Sequence, residues 1–218
     1  MTKTILITGA SSGIGAGMAR EFAQMGYNLA ICARRLERLE TLKQELEQQY
    51  GIRVIAKSLD VTNYDQVFQV FREFKQDFGQ LDRIIVNAGV GEGRRIGKGN
   101  FAINKATVET NFISALAQCE AAVEIFREQN SGHLVVISSM SAVRGMPKHL
   151  TAYGASKQVL HIWLKAFVQN CSILQSKSPR FSLDIFVQKS MRVPNLYLLR
   201  WMKKQVRDCW QQKLKKPL

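Results

Sequence analysis

The sequence is short of acidic residues, of clustered metal-binding side chains and of long apolar runs, and each shortage removes a class of protein. Its four cysteines, Cys32, Cys119, Cys171 and Cys209, lie far apart, and no Cys-x-x-Cys pair occurs. The three histidines do not gather at metal-ligand spacing, so His149 and His161 are read as structural or exposed and no metal is expected. The thiols are expected to be reduced and mostly buried. No window approaches the roughly 20 consecutive apolar residues that a membrane span requires. The N-terminus passes from Met1-Thr2-Lys3 straight into an apolar run ending at a glycine loop, which reads as a strand and not as a signal peptide, and the expected location is cytoplasmic.

Of the two charges acid is the scarcer: 17 Asp and Glu stand against 31 Lys and Arg, for a formal net charge of +14. Such an excess suits either a polyanionic partner or a basic protein that binds a phosphorylated cofactor. Much of it lies at the C-terminus, where Arg200, Lys203, Lys204, Arg207, Lys213, Lys215 and Lys216 face the single acid Asp208. The remainder is scattered without aromatic interleaving, which argues against a nucleic-acid groove, and no nucleic-acid partner is expected.

What is present is a chain of 218 residues, 46% hydrophobic, enough for one core and one domain. Thr4-Ile-Leu-Ile-Thr8 is a β-branched apolar run followed by Gly9-Ala-Ser-Ser-Gly13-Ile-Gly15. A helical pattern then sets Ile14, Met18, Phe22 and Met25 on one side. Strand, glycine turn and helix together offer backbone N–H groups to a pyrophosphate, with Gly9, Ser11, Ser12, Gly13, Ile14 and Gly15 as the contacts. A second buried strand, 28–33, ends in Arg34-Arg35. In a doubly wound sheet that position meets the adenosine ribose, where an arginine suits a 2′-phosphate, so NADP(H) is favoured over NAD(H). Arg34 is the first candidate and Arg35 the second. A third strand, 53–58, leads to Leu59-Asp60-Val61, where Asp60 can accept from an adenine amine with Val61 beside it, cap the helix beginning near Asn63, or do both. A fourth strand, 81–86, ends in Asn87-Ala88-Gly89. The small residues there admit a cofactor closely, and the Asn side chain can tie neighbouring strands.

The glycine-rich, basic segment 90–99 reads as a mobile loop, and a long helix is expected near 105–129. Asn111 sits inside that helix. An asparagine there competes with backbone bonding and needs a reason: orienting an active-site water, or an ordinary polar place on the surface. The fifth strand, 132–137, runs into Ser138-Ser139-Met140-Ser141, where a hydroxyl can meet a substrate carbonyl. Tyr153 and Lys157 follow, four residues apart and therefore on one face of a helix. A phenol titrates near pH ~10, and a fixed cation beside it favours the phenolate, which makes Tyr153 a plausible general acid and base.

Together, TGASSGIG at 8–15, LDV at 59–61, NAG at 87–89, Asn111, ISS at 137–139 and YGASK at 153–157 make the chain resemble the classical short-chain dehydrogenase/reductase family. The resemblance spans Thr8 to Lys157. It implies an α/β fold with a Rossmann-type doubly wound parallel sheet in a single domain, and interconversion of a carbonyl and an alcohol on an apolar small molecule with a nicotinamide cofactor. It assigns Tyr153 as proton donor and acceptor, Lys157 as holder of the nicotinamide ribose, Ser139 as partner of the substrate oxygen and Asn111 as anchor of a proton-relay water. It also implies a homo-oligomer, dimer or tetramer, pairing through the helices of Asn111 and Tyr153.

Two departures stand out. The family's serine lies 13 residues before the tyrosine, whereas Ser139 lies 14 before it and Ser141 lies 12 before it. Ser139 is kept, on the assumption of one extra loop residue, with Ser141 in reserve. After the strand 181–185, the Pro-Gly and threonine that would clasp the nicotinamide carboxamide, and the lid over the substrate, have no counterpart. The expectation is a lid missing from the junction of Ile185 and Phe186, an idea that intact mass spectrometry would reject by returning 24.7 kDa. Residues 1–185 are thus taken as the cofactor-binding, catalytic domain and 186–218 as a basic, aromatic segment packed on it. That segment, with Leu196, Leu199, Trp201 and Trp210 among its cations, also suits peripheral contact with a membrane surface. The rival to the enzyme is a catalytically weak or inactive NAD(P)-binding regulatory or scaffold protein.

Overall fold

Six short strands form one parallel sheet, and the amino acids in them explain why. The computed structural model describes residues 2–143, 146–177 and 181–188, with the side chains at 168–177, 181 and 183–188 outside that description. The strands are β1 (Thr4–Thr8), β2 (Asn28–Ala33), β3 (Val54–Ser58), β4 (Arg83–Val86), β5 (Gly132–Ser139) and β6 (Phe181–Gln188). Their order across the sheet is β3-β2-β1-β4-β5-β6. A parallel sheet is covered on both faces, so its strands are near-continuous apolar runs. All five residues of β1 are buried.

Alternation along the strands divides the core in two. On one face Ile5, Ile7, Leu29, Ile31 and Ile137 pack with Met18 and Phe22 of α1 (Gly13–Gln24) and Leu39, Leu42 and Leu46 of α2 (Leu36–Tyr50). On the other, Leu6, Ile84, Val86, Leu134 and Val136 meet α3 (Tyr64–Phe78), α5 (Ser114–Glu128) and α6 (Thr151–Lys177) through Phe71, Phe126, Leu160 and Leu164. In α3 the apolar residues Val67, Val70, Phe71 and Phe74 fall on one stripe, and Asn63 caps the helix by accepting from the Gln66 N–H at 3.2 Å. The cap is therefore Asn63. The Asp60 carboxylate turns back on Thr62 instead, accepting from its N–H at 3.0 Å and its hydroxyl at 2.8 Å.

The helix expected over 105–129 is interrupted. α4 (Phe101–Val108) and α5 are joined by a π-helical turn, Glu109–Ile113, with Asn111 at its centre. The division placed at Ile185 falls inside β6, where Ile185 pairs with Val136 and Phe186 with Ile137 in one unbroken strand. The basic aromatic segment from 195 onward, with its suggested membrane contact, lies outside the described residues. Among the described residues, no helix is long and apolar enough to cross a membrane.

The chain crosses from β3, at one edge, back past β1 to β4. A crevice opens at the carboxyl ends of β1 and β4, where connections leave in opposite directions. Of the candidate residues, Gly9, Ser12, Gly13, Ile14, Asn87, Ala88, Gly89, Tyr153 and Lys157 line that crevice.

Candidate active site

A cleft of about 310 Å³ opens there, lined by Gly9, Ser12, Gly13 and Ile14 from the glycine turn, Asn87 to Gly91 from the end of β4, and Ile137, Ser138, Tyr153 and Lys157. The glycine turn is fixed from β2: the N–H groups of Gly9 and Ala10 both donate to the Cys32 carbonyl, at 2.8 and 3.3 Å. Gly9 takes a φ of +68°, open to glycine and costly for other residues. Gly15 is needed for space, since a Cβ there would lie 2.4 Å from the Gly9 carbonyl oxygen. α1 thus starts hard against the turn, its N-terminus opening onto the cleft.

Thr8 and Asn87 clamp the two strands that flank the crevice. The Thr8 hydroxyl accepts from the N–H groups of Asn87 and Ala88 at 3.0 and 3.1 Å, and the Asn87 amide donates to the Thr8 carbonyl at 2.8 Å. The tie expected of Asn87 is present. Its partner Thr8 was not singled out, although it opens the TG pair of the motif.

Arg35, and not Arg34, is the arginine brought to the glycine turn. Its guanidinium donates to the hydroxyls of Ser11 and Ser12 at 3.1 and 2.9 Å. The reason is pleat parity: Ala33 packs on the α1 face and Cys32 on the opposite one, so continuing the alternation sends Arg35 toward α1 and Arg34 away. Asp60 and Val61 follow β3, two strands from β1, and are not among the cleft's lining residues.

Asn111 is buried, and both ends of its amide have partners. Its Oδ1 accepts from the Val90 N–H at 2.9 Å, and its Nδ2 donates to the Val90 carbonyl at 2.9 Å and to the Ser156 hydroxyl at 3.2 Å. Burial excludes the ordinary surface position, and the side chain pins the start of the 90–99 loop to α6. Ser156 completes the link by donating to the Tyr153 carbonyl at 2.7 Å. The signal that could have found Ser156 was its place inside YGASK. At the start of the π turn, the Tyr64 hydroxyl bonds the Glu109 carboxylate, and burial followed by that partner pushes the Tyr64 pKa up to about 12.

Tyr153 and Lys157 line the cleft together from α6. Lys157 is 7% exposed, and its ammonium donates to the Ile137 carbonyl at 3.3 Å. Burial lowers its pKa to about 8, which still leaves it mostly cationic at neutral pH. The two serine candidates sit side by side: the Ser139 and Ser141 hydroxyls are 2.8 Å apart, and Ser139 also accepts from the Ser141 N–H at 3.2 Å. The serine that reaches the cleft lining is their neighbour Ser138, which the sequence reading passed over. Lys148, one of two non-glycine residues with positive φ among the described residues, lies between these serines and Tyr153, in the stretch expected to hold an extra loop residue.

Comparisons with known proteins agree with this geometry. The family model described as short chain dehydrogenase matches residues 3–172. An uncharacterized oxidoreductase of Mycobacterium tuberculosis is 53% identical over 154 residues, covering 70% of this chain and 61% of that protein. The NADP-dependent mannitol dehydrogenase of Aureobasidium melanogenum is 33% identical over 159 residues, covering 71% of this chain and 60% of the other. The chain therefore spans less than two thirds of the length of these relatives. Among solved structures, an alcohol dehydrogenase from Thermococcus sibiricus complexed with 5-hydroxy-NADP superposes with a TM-score of 0.76 at 26% identity, over 88% of this chain and 78% of that one.

Proposed function

This chain belongs to the short-chain dehydrogenase family, and from that premise we propose that it is an NADP(H)-dependent oxidoreductase interconverting a carbonyl and an alcohol on an apolar small molecule. The observation that carries the proposal is the convergence of Tyr153 and Lys157 on the same cleft as the glycine turn. The cleft's residues fit a dinucleotide. The α1 N-terminus and small residues receive the pyrophosphate, Arg35 and the hydroxyls of Ser11 and Ser12 receive a 2′-phosphate, and the buried ammonium of Lys157 faces ribose hydroxyls. A buried hydroxyl without a hydrogen-bond partner among the described residues, that of Ser138, lies among them.

When bound, the nicotinamide supplies or accepts the hydride. In the reducing direction, the Tyr153 hydroxyl gives its proton to the substrate oxygen and is left as phenolate; in the oxidising direction it takes that proton back. Ser139, paired with Ser141, offers a hydroxyl to hold the same oxygen at the strand end. Asn111 acts on this site by fixing Val90 and Ser156, and from that place it anchors the proton-relay water. NADP(H) is preferred over NAD(H) on the strength of Arg35. Apolar exposure on α6, at Val159 and Ile162, supports a homodimer or tetramer built through that helix.

Steady-state assay of NADPH oxidation against ketones, aldehydes and 3-oxoacyl thioesters tests the reading. Turnover of at least one panel member is expected. NADPH binding with no oxidation of any of them would favour the regulatory or scaffold role.

A further inference from the structure

Ser138 is the polar group that the site as described leaves unused. Its side chain is 1% exposed, and its hydroxyl has no hydrogen-bond partner among the described residues. Its chain neighbours are committed: the Ile137 carbonyl receives the Lys157 ammonium at 3.3 Å, and the Ser139 hydroxyl closes on Ser141 at 2.8 Å. A buried hydroxyl without a partner gives up its bonds to water and gains nothing in return, so native proteins keep few. This one lines the cleft beside Tyr153 and Lys157.

Its place along the cleft says which part of a ligand it meets. β1 and β5 are separated by β4 alone, so Ser138 stands two strand spacings, roughly 10 Å, from the glycine turn. A dinucleotide whose pyrophosphate sits on that turn therefore brings its nicotinamide end to Ser138. The register points the same way: Ser138 pairs with Val187 near the end of β6, the strand after which this sequence has no Pro-Gly segment.

We infer that the Ser138 hydroxyl hydrogen-bonds the nicotinamide riboside end of the cofactor. The inference rests on the cofactor reading above, and the experiment separates the two. Binding of NADPH and of 2′-phospho-ADP-ribose, which lacks nicotinamide, is measured calorimetrically for the wild type and Ser138→Ala, together with the melting temperature of each cofactor-free protein. The expected result is wild-type binding of both ligands, with NADPH weakened about tenfold in the variant, 2′-phospho-ADP-ribose unchanged, and a melting temperature equal or higher because an unpaired buried hydroxyl is gone. Unchanged NADPH affinity in the variant overturns the inference while leaving the cofactor reading intact. Equal weakening of both ligands with a lower melting temperature overturns it in favour of a packing role. A wild type that binds neither ligand overturns the cofactor reading and the inference with it.

Discussion

Lys157 shows how one residue's burial becomes a measurable property of the protein. Desolvation holds its folded-state pKa at about 8, below the ordinary lysine value of 10.5. Between those values the unfolded chain binds more protons than the folded one, so this group makes the cofactor-free protein more stable as pH rises. From pH 7.5 to 9.5 its share is roughly 2 kcal/mol, at 1.36 kcal/mol per pKa unit. Urea unfolding at the two pH values should show that gain in the wild type relative to Lys157→Met; an identical pH slope in both proteins would contradict the burial account. At the same scale, Arg35 and Arg34 make opposite predictions. Arg35→Glu should weaken NADPH binding by roughly tenfold or more with NADH little affected, because the guanidinium over Ser11 and Ser12 is lost. Arg34→Glu should change the ratio of the two affinities far less, and titration of each variant with both cofactors checks this.

The π turn between α4 and α5 is the element on which the site's geometry depends most. Inserting a wider turn at Glu109–Ile113 brings the Asn111 amide to the Val90 backbone and to Ser156, and Tyr64 of α3 holds the first residue of the turn. Asn111→Ala leaves the Val90 N–H and carbonyl without these partners, at a cost of about 2 kcal/mol in unfolding free energy. Faster hydrogen exchange at the Val90 amide, by at least roughly tenfold, should accompany it, with exchange in β1 unaltered relative to global stability. Exchange at Val90 matching the wild type would show that the loop is held by something else.

At the scale of the whole molecule, the parts of the fold written in local pattern were legible and the parts written in tertiary contact were not. The bounds of β1 and β2 follow directly from Thr-Ile-Leu-Ile-Thr and from Asn-Leu-Ala-Ile-Cys-Ala, since apolar runs of that length have no other use in a parallel sheet. The glycine turn is equally local, and so is the pairing of Tyr153 with Lys157 by helical spacing. Arg35 in place of Arg34 needed the pleat parity at the end of β2. Asn63 in place of Asp60 needed the helix start to within one residue. That the Ser138 hydroxyl has no partner among the described residues is invisible to any motif, because it depends on the neighbours that tertiary structure brings around it. The crevice at the carboxyl ends of β1 and β4 is what turns these scattered residues into one site.

The central claim is that the Tyr153 hydroxyl exchanges a proton with substrate in a cleft that holds the cofactor independently of that hydroxyl. Tyr153→Phe tests it with two readings on one protein: the calorimetric affinity for NADPH, and the turnover of whichever substrate the panel reveals. The account predicts NADPH affinity within a few-fold of the wild type and turnover lower by roughly 100-fold or more. Turnover retained at the wild-type rate would contradict it.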